Sequence, residues 1–230
     1  MRIRAVVFDI GQTLVYYPLP LNWSKLYRPA FEEIEKKHGL RLTEAAYGHI
    51  GQVLTKYNTR ITPRDREVSS DMIFSEILSG TGIPGNLKET VKEEFYGYFR
   101  RDAHVYPEAE ETLKTLKEKQ VVTATLSDVA YGMDNRYALE DIRPLLPYID
   151  HPCTSNDTGW RKSSSQSLLV LAEQMGIPAG EIAFVGDEIK DMQCAKGAGA
   201  KAVLINRTGE TRDYGQDEEV TDLREIPGII

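Results

Sequence analysis

The stretch "VVFDIGQTL", residues 6–14, decides how the rest of the chain is read. Ala5, Val6, Val7 and Phe8 form a four-residue apolar run that stops at Asp9, and a glycine and a threonine follow within four positions. That order describes a buried strand handing a carboxylate to the edge of a parallel sheet, where open α/β folds hold their ligands. Taken alone, Asp9 is equally well explained as a residue that caps the following turn. Gly11 raises a second question, because a second acid at that place would make immediate chemical sense.

Working outward, "RAVVFDI", "QVVTATLSD", "EIAFVGDE" and "AKAVLINR" are further short runs rich in Val, Ile and Ala, each ending in polar residues. "YIDHPCTS" reads as a weaker strand of the same kind. Helical spacings lie between them: Ala109, Leu113 and Leu116; Leu168, Leu171 and Ala172; Met192, Ala195 and Ala198. Continuous apolar strands alternating with helices predict an α/β fold, a Rossmann-like three-layer core whose parallel sheet is covered on both faces. The closing stretch "TRDYGQDEEVTDLREIPGII" reads as a polar loop and a short final element.

Residues 16–102 follow a different pattern. Trp23, Leu26, Tyr27, Ala30, Phe31 and Ile34 recur at helical spacing up to His38-Gly39. Ile50, Val53, Leu54 and Tyr57 form a second such face, with Thr43 as its cap. Ile73, Phe74, Ile77 and Leu78 form a third, and Leu87, Val91, Phe95, Tyr98 and Phe99 a fourth. This piece holds 13 basic against 12 acidic side chains, whereas the remainder holds 15 against 23. The predicted layout is an α/β core of residues 1–15 and 103–230, with a four-helix cap of residues 16–102 inserted after the first strand. An insertion at that point sits over the strand ends as a lid.

Composition excludes several function classes. The net charge of −7 leaves no excess of Lys and Arg to neutralise phosphates, so nucleic acid is not the expected partner. No apolar run approaches the ~20 residues that span a bilayer, so no membrane association is expected. Cys153 and Cys194 have neither metal-knuckle nor CxxC spacing. Two unpaired thiols suit a reducing compartment, and a cytoplasmic protein, monomeric or homodimeric, is expected.

Four polar clusters terminate strand-like or loop segments, and each has an ordinary explanation when isolated. Asp9 caps a turn; Ser127-Asp128 after "VVTATL" is a helix N-cap; Arg161-Lys162 in "DTGWRKSSSQSL" is a solvated basic pair. "VGDEIKD" resists that treatment, because Asp187, Glu188 and Asp191 crowd like charges that call for a cation or a compensating lysine. Together the clusters deliver a carboxylate, a hydroxyl, a lysine and an acidic group to one edge. A carboxylate that attacks an anionic phosphate needs its repulsion cancelled, and Mg²⁺ with a lysine does so.

In this order and spacing the chain resembles the haloacid dehalogenase (HAD) superfamily, most members of which are Mg²⁺-dependent phosphohydrolases working through an aspartyl-phosphate. The resemblance runs through "FDIGQTL", "TLSD", "TGWRKSSSQSLLVLAEQMGIP" and "FVGDEIKDMQCAKGAGAKAVLINR", and the inserted helices resemble a C1-type cap. It implies Asp9 as the nucleophile, with Thr13 at the family's usual threonine. Ser127, Asp128 and Lys162 would form the phosphate-binding group. Asp9, the Gly11 carbonyl, Asp187 and Asp191 would form the Mg²⁺ site. The substrate implied is a small phosphorylated metabolite. Tyr16, Tyr17, Trp23, Tyr57 and Arg60 are candidates for selecting its leaving group.

The chain departs from the family pattern where a second Asp normally protonates the leaving oxygen and then activates water. Gly11 stands there, followed by Gln12 in place of the usual glycine. Loss of a positioned acid–base group costs about 10²–10⁴-fold in rate. One reading keeps the phosphatase, with a leaving group of low pKa or with Asp128, Glu188, Asp65, His49 or water as substitute. A second is haloacid dehalogenase or phosphonate hydrolase chemistry, the latter needing an imine-forming cap lysine: Lys25, Lys36, Lys37 or Lys56. A third is a non-catalytic or regulatory module that binds phosphate or Mg²⁺.

Overall fold

A computed structural model describes residues 2–18 and 22–230. The chain begins with β1 (Ala5–Phe8) and β2 (Val15–Tyr16), then runs through α1 (Trp23–His38), α2 (Glu44–Tyr57), α3 (Ser70–Ser79) and α4 (Lys88–Arg100). It returns through β3 (His104–Val105), α5 (Ala109–Glu118) and β4 (Val122–Thr125), followed by the short α6 (Asn135–Ala138) and α7 (Ser155–Thr158). The remainder is α8 (Gln166–Met175), β5 (Ile182–Gly186), α9 (Ile189–Ala198), β6 (Lys201–Ile205), β7 (Glu218–Val220) and α10 (Ile226–Ile229).

The main sheet has the order β4-β1-β5-β6-β7 and is parallel throughout. All four residues of β1 are buried, as a strand covered on both faces requires. Side chains alternate across the sheet. Val6 and Phe8 join Leu113, Leu116, Val185 and Val203 in one apolar layer; Ala5 and Val7 join Leu168, Leu171, Phe184 and Met192 in the other. The register sets Phe8 opposite Thr125 of β4 and Val185 of β5. The residues just beyond these three positions therefore emerge at one edge of the sheet.

Three short strands escape the sequence patterns. β7 has an exposed Glu218-Glu219 and one buried valine, an edge strand without an apolar run. β2 and β3 pair antiparallel, Val15 with Val105 and Tyr16 with His104, where the chain leaves the sheet for the helices and returns. The weak strand expected at "YIDHPCTS" reduces to single bridges from His151 to Ala124 and from Thr154 to Ser127.

Helices α1–α4 have an aromatic-rich core of their own, with Trp23 stacked on Phe99 at 4.3 Å between ring centres. Thr43 caps α2 by accepting from the Ala46 amide, and Gly39 ends α1 in the left-handed region at φ 64°. Val129, Tyr131 and Met133, which follow β4, are built into that helical core. Gly132 makes this approach possible. Its φ is +66°, and a Cβ there would stand within 3.0 Å of the Val68 carbonyl oxygen and the Ser70 nitrogen. Lys92, buried in α4, lies 3.0 Å from Asp71 and 3.3 Å from Asp134. Among the described residues, no helix is long and apolar enough to cross a membrane.

Candidate active site

Asp9 directly follows β1, and its amide donates to the Val185 carbonyl at 2.9 Å, which carries the pairing one residue past the strand. The chain then turns: Leu14 and Val15 amides donate to the Ile10 carbonyl at 2.9 and 3.0 Å. Gln12 takes φ +56°, the strained residue of the turn. Gly11 is not in the left-handed region, and a Cβ there would meet nothing within 4 Å. Neither backbone nor packing demands glycine at that position.

Lys162 comes to Asp9 from the segment before α8. Its Nζ lies 2.6 Å from Asp9 Oδ1 and 2.7 Å from Asp191 Oδ1, and the lysine is 1% exposed. Its backbone amide donates to Asp128 Oδ1 at 2.8 Å. Burial works against the lysine's charge, but Asp191, Asp9 and Asp128 outweigh it and hold the ammonium well above its ordinary range. The same carboxylates overload the site. Asp187 is pushed up to about 8 by burial and by Asp9, Asp191 and Glu188. Asp191, from the first turn of α9, also accepts from the Glu188 amide at 3.0 Å.

Asp9, Asp187 and Asp191 each offer an oxygen, and these atoms lie within 4.8 Å of one another. Asp9 Oδ1 and Asp191 Oδ1 are buried and share a single ammonium, that of Lys162. Three clustered carboxylates balanced by one lysine are a donor set that fits a hard divalent cation such as Mg²⁺.

These residues lie at a cavity of about 700 Å³ between the sheet edge and α1–α4, lined by Asp9, Gly11, Ser127, Asp128, Lys162 and Asp187 on the core side. Tyr17, Trp23, Tyr57 and Arg60 contribute from the other side; Tyr16 instead stacks on His104 and packs against Tyr106. Tyr17 donates to Asp141 at 2.8 Å, and burial and that carboxylate raise its phenol well above the ordinary range. Arg161 is not the solvated residue that its sequence context suggests. It is buried, pairs with Glu67 and donates to the Val129 carbonyl at 3.0 Å.

Of the substitutes considered for the missing acid, Asp128 and Glu188 line the cavity, whereas Asp65 and His49 do not. His49 bonds the Glu76 carbonyl within the helical layer. Burial raises Asp128, but Arg161, Lys162 and Lys190 more than offset it and hold it ionised; Glu188 is held low, against burial, by Lys190, Lys162 and Arg60. Sequence reasoning missed Arg64, Arg100 and Asp141 among the lining residues. Arg100 donates to Asp141 at 2.6 and 2.9 Å, a pairing between α4 and the segment after α6 that no local pattern announces.

A family model for haloacid dehalogenase-like hydrolases matches residues 3–199. The chain belongs to that family. Full-length similarity extends to phosphatase MT3486 of Mycobacterium tuberculosis, 25% identical with 100% of this chain and 98% of the relative covered. Enolase-phosphatase E1 of Aquifex aeolicus is 28% identical, with 97% and 91% covered. Among solved structures, a HAD phosphatase from Thermococcus onnurineus is 25% identical with a TM-score of 0.64, covering 100% of this chain and 97% of its own. A 2-haloacid dehalogenase from Pseudomonas syringae shares the fold of this haloacid dehalogenase-like hydrolase at a TM-score of 0.68 and 18% identity, with 98% and 97% covered.

Proposed function

We propose that the chain is a Mg²⁺-dependent phosphomonoesterase that acts on a small phosphorylated metabolite through an aspartyl-phosphate. The observation that carries this reading is the buried Lys162 ammonium between Asp9 and Asp191, with Asp187 beside them at a covered cavity. An Asp9 oxygen forms the bond to phosphorus while the bond from phosphorus to the leaving oxygen breaks. Water then adds to phosphorus, the Asp9–phosphorus bond breaks, and inorganic phosphate leaves. Lys162 and the Ser127 hydroxyl bind the phosphoryl oxygens, and Asp128 anchors the lysine through its backbone amide. Asp9, Asp187 and the Gly11 carbonyl would hold Mg²⁺, with Asp191 supporting the site directly or through Lys162 or water. When bound, Mg²⁺ supplies the second positive charge that the attack of a carboxylate on a phosphate requires.

Proton transfer defines the substrate class. Gly11 carries no acid, and Asp128 and Glu188 are held ionised, so none of the three donates a proton to a departing alkoxide. The reading therefore favours leaving groups of low pKa, such as acyl, anomeric or aryl phosphates. Full-length similarity to phosphatases supports phosphate esters over haloacids. The buried Asp9, Lys162 and Asp191 argue against a pure scaffold, which has no use for clustered charges. The test is a hydrolysis panel from acetyl and p-nitrophenyl phosphate to sugar phosphates, with and without Mg²⁺. Turnover should fall with rising leaving-group pKa and vanish in Asp9→Asn. No turnover of even acetyl phosphate would sink the reading.

One observation favours a second reading. Of the four lysines considered for imine chemistry, Lys25 lines the cavity, while Lys37 and Lys56 pair with Glu94 and Glu76. A phosphonate hydrolase would use that amine on an aldehyde substrate. Borohydride reduction in the presence of phosphonoacetaldehyde would then leave a mass adduct on Lys25. An unmodified lysine eliminates this reading.

A further inference from the structure

The segment that carries Lys162 is hydrogen-bonded to the cap insertion. Residues 64–67, between α2 and α3, run antiparallel to residues 159–163. The Glu67 amide donates to the Gly159 carbonyl at 3.1 Å, and the Arg161 amide donates to the Asp65 carbonyl at 2.8 Å. Arg66 and Trp160 sit opposite each other, with the guanidinium 3.4 Å from the ring centre. The Ser163 hydroxyl donates to the Arg64 carbonyl at 3.0 Å.

Glu67 joins this strap to both halves of the phosphate site. Its carboxylate accepts from Arg161, which itself donates to the Val129 carbonyl. It also accepts from the Ser155 hydroxyl at 2.6 Å, and that hydroxyl accepts in turn from the Val129 amide at 3.0 Å. One carboxylate from the insertion thus reaches the turn after Ser127-Asp128 and the residue before Lys162. The Glu67 and Arg161 side chains are only 4% and 6% exposed, so this link is insulated from solvent. Glu67 lines neither this cavity nor the adjoining one of about 500 Å³.

We propose that Glu67 is a positioning residue for the phosphate site, so that correct seating of the cap loop is a condition for Lys162 and the 127–129 turn to bind a phosphoryl group. The proposal rests on the phosphatase reading for the role of Lys162. A displacement near 1 Å in a binding group costs up to about 10²-fold, and loss of this tether acts on both groups.

The test uses the full chain with Mg²⁺ and compares wild type, Glu67→Gln and Ser155→Ala. The last keeps the Arg161–Glu67 pair and serves if Glu67→Gln does not fold. Calorimetry reads inorganic phosphate and Mg²⁺ affinity, and hydrogen exchange reads residues 127–133 and 159–163. The expected result is phosphate binding weaker by about 10- to 100-fold, faster exchange in both segments and Mg²⁺ affinity within about twofold. Turnover should fall by one factor for every ester, because Glu67 does not touch the leaving group. Unchanged phosphate affinity in a folded variant, or faster exchange confined to the cap, overturns the proposal. If wild type binds no phosphate, the phosphatase reading fails, and the exchange pattern alone decides whether Glu67 couples the two segments.

Discussion

Lys162 Nζ lies 2.6 Å from Asp9 Oδ1, joining the segment before α8 to the end of β1 inside the protein. The lysine answers three carboxylates with one charge, and that imbalance governs how the site responds to substitution and to metal.

Lys162→Met leaves Asp9 and Asp191 buried without their cation. Breaking a buried pair on one side costs about 3–5 kcal/mol, and urea unfolding without metal should register a loss of that order. Mg²⁺ should restore more stability to this variant than to wild type, because the buried ammonium no longer shares the carboxylates with it. Equal gains in both proteins would show that the ion and the lysine do not share the carboxylates. Turnover should fall by about 10²–10³-fold.

Asp187→Asn should have opposite effects with and without metal. Without Mg²⁺ it removes a carboxyl whose ionisation is opposed by burial and by Asp9, Asp191 and Glu188. That opposition is a penalty on the folded state at neutral pH that Asn does not carry, so the variant should melt above wild type. Mg²⁺ at about a hundredfold excess over its dissociation constant should stabilise wild type by about 2.7 kcal/mol. The variant should show little of that gain. Calorimetric melts with EDTA or Mg²⁺ give both numbers, and a metal response retained in the variant would remove Asp187 from the site.

Gly11→Asp places a carboxyl where the proposed mechanism lacks its acid–base group, at a position with room for a Cβ. A Cβ there meets nothing within 4 Å and the backbone is not left-handed, so the side chain adds no steric cost. Its charge, in a site already crowded with carboxylates, should lower stability without Mg²⁺ and less so with it. Turnover of alkyl phosphates should rise by up to about 10²–10⁴-fold, and acetyl phosphate far less. A uniform rise across the panel, or none, would mean that proton transfer does not limit the wild-type enzyme.

The core was legible because β1, β4 and β5 are apolar runs that each stop at a candidate site residue. β1 stops at Asp9, the β4 run at Ser127-Asp128 and β5 at Asp187, so one pattern marked both fold and site. β7 was not legible, since a three-residue edge strand with two exposed glutamates carries no such run. The buried Arg161 was misread because its partner, Glu67, lies in another segment and opposite charge leaves no periodic trace. Arg100–Asp141 was hidden for the same reason.

Gly132 offers a test of how firmly the cap is joined to the core. Its positive φ costs a residue with a side chain about 1–2 kcal/mol, as at Gly39, where a Cβ meets nothing within 4 Å. At Gly132 the added carbon also drives into backbone atoms of Val68 and Ser70, which cannot rotate away. Gly132→Ala should therefore lose clearly more stability than Gly39→Ala in urea unfolding. It should also impair turnover, because relief of the clash pulls Val129, Tyr131 and Met133 out of the cap core and shifts the turn after Asp128. Gly39→Ala, at the far end of α1, should keep wild-type turnover. If both variants lose the same stability, the loop after β4 is free to move relative to the cap.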